Sequence, residues 1–333
     1  MKTTLACALE SFFLEYLPKQ RGLSPHTVKS YRDGLKLLLV FLAQRGDPSR
    51  LAVAAIAPER VLAFLDHLES GRRNTVSTRN GRLSAIHCFF RYLGAQHPEH
   101  LAQAQRILSI PLKRTSKREI HYLDFPEVQA ILNSIDCSTP DAKRDLALLT
   151  LLFNTGGRVS EVVGLQARDL RLSPPPHVLF KGKGKKERSC PIWAETARLL
   201  RALIGDQGIA PEDPVCIFRN HRGEPLTRFG VRWILKKYCL RAAEKLSSLR
   251  HKRLHPHSVR HSTAIHLLRS GVDLSTIAHW LGHVSVNTTN KYLTIDLKTK
   301  ADALAKAKPL LKRSGQTGSW RKNPDLLRWL EAL

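Results

Sequence analysis

The stretch His257-Ser258-Val259-Arg260-His261, continued through Leu281-Gly282-His283 to Tyr292, decides how the rest of the chain is read. His257 and Arg260 are three positions apart, so on a helix they share one face. A second imidazole, His283, follows 23 residues after Arg260, and Tyr292 follows 9 after that. Imidazole and guanidinium groups hold phosphate through charge-assisted hydrogen bonds. A tyrosine in their company can be one more phosphate ligand or a nucleophile, and these residues alone leave both roles open.

Composition points to the partner. The chain carries 54 Lys+Arg against 28 Asp+Glu, a formal net charge of +26 and a pI near 10.3. A surplus of this size implies a polyanion, nucleic acid first; the bland alternative is a basic surface that only aids solubility. At 333 residues, 42% of them hydrophobic, there is room for two soluble domains, each with its own core. The six cysteines are scattered without metal or redox spacing, which suggests free thiols in a reducing cytoplasm. Glu10 and Glu15 interrupt the apolar positions of the first 17 residues and no small-residue cleavage site follows, so neither a signal peptide nor a membrane span is expected. The expected location is cytoplasmic.

Upstream, residues 1–108 carry four helical patterns. Leu9, Phe12, Phe13, Tyr16 and Leu17 recur at helical spacing, as do Val28, Tyr31, Leu35, Leu38, Leu39 and Leu42 behind a Ser24 cap and Pro25. A third helix follows Pro58 and a fourth carries Leu83, Ile86, Phe90 and Leu93. The basic, hydroxyl-rich runs Arg72–Thr75 and Ser77–Asn80 suit either phosphate contacts or helix capping. This part binds and shows no chemistry. Residues 109–118 are basic with little apolar periodicity and read as a linker.

A second domain spans 119–313 and opens on Asp124, Pro126 and Glu127, the pattern of a capping box. An apolar helix from Ala142 to Phe153 ends at Thr155-Gly156-Gly157. Arg158-Val159-Ser160-Glu161 follows at once, where an Arg at a helix start can reach a ligand phosphate and Glu161 can pair with it. A plain surface ion pair explains the same two residues equally well. Residues 174–192 read as a β-hairpin around Lys181-Gly182-Lys183-Gly184-Lys185-Lys186, without the spacing of a Walker loop. Its lysines can enter a DNA groove, deliver a proton, or simply be solvated. Helices are expected over 195–204, over 228–245 behind Thr227 with Trp233, Ile234 and Tyr238 available to the core, and over 297–308. The tail 314–333 ends in a short amphipathic segment suited to docking on its own domain or a neighbour's.

Taken together, Thr155-Gly-Gly-Arg158-Val-Ser-Glu161, Gly182-Lys183-Gly-Lys-Lys-Glu-Arg188, His257-Ser-Val-Arg260-His261, Leu281-Gly282-His283 and Tyr292 resemble the tyrosine recombinase (phage integrase) family in order and spacing. The resemblance covers about residues 5–310 and departs at Gly157, where the family commonly has an apolar residue and a looser turn is expected. It implies a mostly α fold with a small β-hairpin or sheet. An N-terminal four-helix SAM-like core-binding domain would precede an α+β catalytic domain. It also implies a site-specific DNA recombinase acting on double-stranded DNA as a dimer on each site and a tetramer in synapse, with or without partner recombinases.

By the same resemblance Tyr292 attacks a phosphodiester to give a 3′-phosphotyrosyl link and a free 5′-hydroxyl, conserving the bond energy so that no cofactor is needed. Arg158, Arg260 and His283 would stabilise the transition-state charge. Lys183 would be the general acid to the leaving 5′-oxygen, His257 would assist proton transfer or phosphate contact, and Glu161 would orient Arg158. No metal is required, and a site built from His251, His255, His257 and His261 lacks an acidic or Cys partner at ligand spacing. The alternatives are a type IB-like topoisomerase relaxing DNA as a monomer and a non-catalytic DNA-binding protein.

Overall fold

The computed structural model describes residues 4–44, 46–115, 121–182, 187–282 and Thr289. Two compact units divide between Arg118 and Glu119.

The N-terminal unit is all helical. Helix α1 (Leu5–Ser11) runs on as a π-helix (Phe12–Gln20), followed by α2 (Pro25–Ala43), α3 (Pro58–Ser70), α4 (Val76–Gln96) and α5 (Leu101–Leu108). The caps follow from the sequence: the Ser24 hydroxyl accepts the Thr27 N–H, with Pro25 in the first turn, and Thr75 accepts the Thr78 N–H. The core is aromatic at its centre. Phe12, Phe64, Phe89 and Phe90 are fully buried, and the Phe12 and Phe89 rings meet edge to face at 5.2 Å. Helix α5, which the four-helix expectation does not include, adds Ala104 and Ile107 to that core.

The two basic runs of this unit divide between readings. Arg79 is buried and donates to the Asn80 side chain and the Pro111 carbonyl. Asn80 in turn clasps Lys113 through both its N–H and its carbonyl. Both residues therefore tie 111–113 to α4, and the start of the expected linker is part of the unit's packing.

The C-terminal unit is α+β. It comprises α6 (Phe125–Asn133), α7 (Pro140–Thr155), α8 (Val159–Val163), strands β1 (Leu170–Arg171), β2 (His177–Lys181) and β3 (Glu187–Pro191), then α9 (Ala194–Asp206), α10 (Arg228–Lys245), α11 (Pro256–Arg269) and α12 (Leu274–Leu281). The sheet is antiparallel in the order β1-β2-β3, with Lys181 opposite Glu187 and His177 opposite Pro191, so the expected hairpin is present and gains a short third strand. Helix α7 is the spine: twelve of its residues, from Ala142 to Thr155, are buried, and α9 and α11 pack along it. No described helix is long and apolar enough to cross a membrane.

One local expectation is corrected. Trp233 is 64% exposed rather than in the core. The buried face of α10 is set by Val231, Ile234, Leu235, Tyr238 and Ala242 at helical spacing, and Trp233 falls off that stripe with Lys237 over its ring. The expected Asp124 capping box is present, with the Glu127 carboxylate accepting the Asp124 N–H at 2.8 Å and the Glu127 N–H also reaching the Asp124 backbone carbonyl. The Asp124 carboxylate also accepts from Arg269 at 2.9 Å.

Candidate active site

Helix α7 stops because Gly156 takes the left-handed conformation (φ +59°), where a side chain would also strike Leu281 and Thr263. The chain then turns through Gly157, whose N–H is held by the Thr155 hydroxyl at 3.1 Å. The space a side chain would take at Gly157 is filled by Val162 and by Phe180 of β2, each about 3 Å from where a Cβ would sit. The turn is packed from outside, which answers the expectation that a glycine here loosens it.

Arg158 emerges from this turn. One end of its guanidinium donates to Glu161 Oε1 at 2.8 Å and the other to the Gly282 carbonyl at 2.9 Å, and its backbone N–H donates to Glu161 Oε2 at 2.9 Å. Arg260, only 2% exposed, donates to the Gly156 carbonyl at 2.8 Å and to the Leu281 carbonyl. The two arginines thus hold the turn after α7 and the end of α12, at the carbonyls that immediately precede His283 in the chain. Fixing a guanidinium at two points removes rotamer freedom in advance, as preorganised charge stabilisation requires.

Glu161 has a second cation that sequence reading did not assign. Arg188 of β3 donates to Glu161 Oε2 at 2.7 Å and Oε1 at 3.1 Å, and its Nε donates to the Trp280 carbonyl at 3.1 Å. Its guanidinium lies over the Phe180 ring at 4.8 Å. Burial pushes the Glu161 carboxyl up, but the Arg188 hydrogen bonds and the Arg158 backbone N–H outweigh it and hold the group below the usual range. The only signal in the sequence was the place of Arg188 in the hairpin motif, which says nothing of partners 27 and 92 residues away.

A cavity of about 490 Å³ opens over these groups, lined by Gly157, Arg158, Ser160, Arg228, Phe229, Arg232, His255, His257 and Arg260 among others. His257 stands on its wall with its ring edge-on to His261 at 4.5 Å and nearly parallel to His255 at 6.4 Å. Arg158, His257 and Arg260 are therefore brought together around one opening, with Glu161 behind Arg158. Among the described residues no carboxylate lines it, so its field favours an anion. Lys181, the first lysine of the hairpin, is committed elsewhere, to the buried Asp169 at 2.6 Å. Lys183, His283 and Tyr292 lie outside the described residues, as do the expected helix 297–308 and the tail 314–333.

A helical N-terminal unit, a small antiparallel sheet and two anchored arginines facing an anion-favouring cavity define the class of a two-domain tyrosine recombinase. The phage integrase family model matches residues 121–298 and the integrase N-terminal SAM-like domain matches residues 11–97. A putative integrase/recombinase, y4rC of Sinorhizobium fredii, is 43% identical over 99% of this chain and 98% of its own length. The tyrosine recombinase XerC of Oceanobacillus iheyensis is 32% identical over 89% of this chain and 94% of its own. The crystal structure of the XerH site-specific recombinase bound to a palindromic difH substrate shares the fold, with a TM-score of 0.66 and 23% identity over 89% of this chain and 84% of that one. The chain belongs to the phage integrase family of tyrosine recombinases.

Proposed function

We propose that the protein cuts and rejoins double-stranded DNA at specific sites, with Tyr292 as nucleophile. The observation that carries the reading is the convergence of Arg158, His257 and Arg260 on one cavity, with both guanidiniums already fixed by backbone carbonyls. The phenolic oxygen of Tyr292 forms the new P–O bond as the bond to the 5′-oxygen breaks. Lys183 gives its proton to that leaving oxygen, and His257 assists removal of the phenolic proton. Arg158, Arg260 and His283 take up the extra charge on the non-bridging oxygens. Attack by a 5′-hydroxyl from the partner strand reverses the step, so the phosphodiester energy is kept and no cofactor is consumed.

In this reading residues 1–108 form the core-binding domain, 109–118 connect it, 119–313 are catalytic, and 314–333 are a docking tail. The DNA complexes of XerH, and of the Tn1549 transposon integrase with a circular intermediate, support duplex DNA as the substrate. A dimer on each site and a tetramer in synapse, working in the cytoplasm, complete the reading.

The test is incubation with a supercoiled plasmid carrying the duplex that the protein selects most tightly from a random-sequence pool, followed by denaturing gels. A covalent adduct from wild type and none from Tyr292→Phe is the expected result. Tight binding without adduct leaves a DNA-binding protein only, and adduct from Tyr292→Phe moves the nucleophile elsewhere. Recombinant junctions, rather than relaxed plasmid alone, separate a recombinase from a topoisomerase.

A further inference from the structure

His255 immediately precedes α11, the helix that carries His257 and Arg260 in its first turns. Its backbone is extended (φ −146°, ψ 165°), as at an N-cap, and its Nδ1 accepts the Ser258 N–H at 3.2 Å. That N–H is shared with the His255 carbonyl at 2.7 Å, and the His255 N–H in return approaches the Ser258 hydroxyl at 3.4 Å. Acceptance at Nδ1 is open only to the neutral imidazole that keeps its proton on Nε2. The usual cap residues, Ser, Thr, Asp and Asn, do not change charge between about pH 5 and 8, and histidine does.

The surroundings of the ring are cationic. It lines the same cavity as Arg158, Arg228, Arg232, His257 and Arg260, and no carboxylate lines that cavity among the described residues. From the elements around it, Arg232 of α10 and His121 ahead of α6 act on the ring, and His257 of α11 lies nearly parallel to it. Partial burial first, then Arg232 and His121, hold His255 below the usual imidazole range, although the residue as a whole is exposed.

We propose that His255 is a positioning residue for strand cleavage: its neutral ring caps α11 and so fixes His257 and Arg260 at the cavity, and its protonation removes the cap. The proposal rests on the phosphoryl-transfer reading above. In the protonated ring Nδ1–H faces the Ser258 N–H, donor against donor, and adds a positive charge at the positive end of a helix. A bound phosphodiester favours that protonation, so the loss of the cap comes at higher pH in the complex than in the free protein.

The sign follows from the direction of the shift. Because the folded pKa lies below the unfolded value of 6.5, the unfolded chain takes up the proton first as pH falls. The capping contribution is complete above the unfolded value and drains away as pH falls from there to the folded pKa.

The experiment compares full-length wild type with His255→Asn, His255→Ser and His255→Ala by single-turnover adduct formation on the selected plasmid. At pH 8 Asn and Ser match wild type within about twofold, whereas Ala is slower by about fivefold, the rate equivalent of a lost cap. As pH falls to 5.5 the Asn and Ser variants overtake wild type, their ratio to it rising toward about fivefold, the same factor as the lost cap. An Ala variant equal to wild type at pH 8 overturns the cap. A flat ratio, or a wild type that gains on Asn in acid as a cationic phosphate ligand would, overturns the titration.

Thermal melts of the same proteins without DNA read the cap apart from the chemistry, with Ala melting lower at pH 8 and wild type losing ground to Asn below 6.5. If the melts behave so and no protein gives adduct at any pH, the phosphoryl-transfer reading fails and takes the positioning role with it. If adduct forms and neither rates nor melts respond to position 255, the cap fails and the reaction stands.

Discussion

Two guanidiniums and one backbone N–H converge on the Glu161 carboxylate, whose side chain is only 4% exposed. Removing its charge leaves Arg188, whose side chain is also largely buried, with a partial partner. Glu161→Gln should therefore cost about 2 kcal/mol in urea denaturation at pH 7, within the range for hydrogen bonds to charged groups. The carboxyl is held below its usual value, so this contribution is present above the unfolded value of 4.5 and is lost as pH falls through the folded pKa. The stability gap between wild type and Glu161→Gln should accordingly close when the titration is repeated below pH 4.5. A gap that stays constant across that range would assign the loss to packing rather than charge. Adduct formation should fall by about 10- to 100-fold even where the variant is folded, since Arg158 loses the group that orients it.

At the scale of elements, the site is an agreement between three pieces of chain: the turn after α7, the β2–β3 hairpin and the end of α12. Arg188 joins all three, through Glu161, the Phe180 ring and the Trp280 carbonyl. Lysine keeps the charge but has neither the planar fork nor the stacking face, so Arg188→Lys should lose about 2 kcal/mol in the same denaturation. Gly282 is the other joint. It sits at φ +63°, and a Cβ would come 3.0 Å from the Arg188 guanidinium while its carbonyl must still accept from Arg158. Gly282→Ala should cost roughly 1–2 kcal/mol from the left-handed backbone alone and should slow adduct formation further by displacing Arg188. A neutral Gly282→Ala would mean the end of α12 has freedom that its contacts do not suggest.

These joints also mark where the sequence stopped being legible. Helix starts with a local hydrogen bond, at Ser24 and Thr227, could be read because donor and acceptor lie three residues apart. So could the hairpin and the pairing of Arg158 with Glu161. The partners of Arg188 and the exposure of Trp233 both depend on tertiary packing, to which spacing is blind.

For the whole molecule the governing quantity is charge. The described residues close three hydrophobic clusters, and the net +26 leaves an excess of cations over carboxylates that is available to a polyanion. Arg158 and Arg260 are held by backbone carbonyls and Glu161, and among the described residues no carboxylate lines the cavity, so the site adds fixed positive charge at its mouth. Binding of duplex DNA should then be driven by counterion release. For about 6–10 phosphate contacts, affinity falls by about 10³–10⁵ between about 50 and 200 mM salt, with a log–log slope near −0.9 per contact. Fluorescence anisotropy on the selected duplex measures that slope directly. Tyr292→Phe removes a hydroxyl and no charge, so it should abolish the adduct while leaving the slope as it is in wild type. Arg228→Ala, at the rim of the cavity, should lower the slope by about one unit if its guanidinium meets a phosphate. A flat salt response for wild type would contradict the phosphate-led mode of binding. A slope that changed with Tyr292→Phe would mean that binding and chemistry are not the separable tasks that one set of anchored cations and one added nucleophile imply.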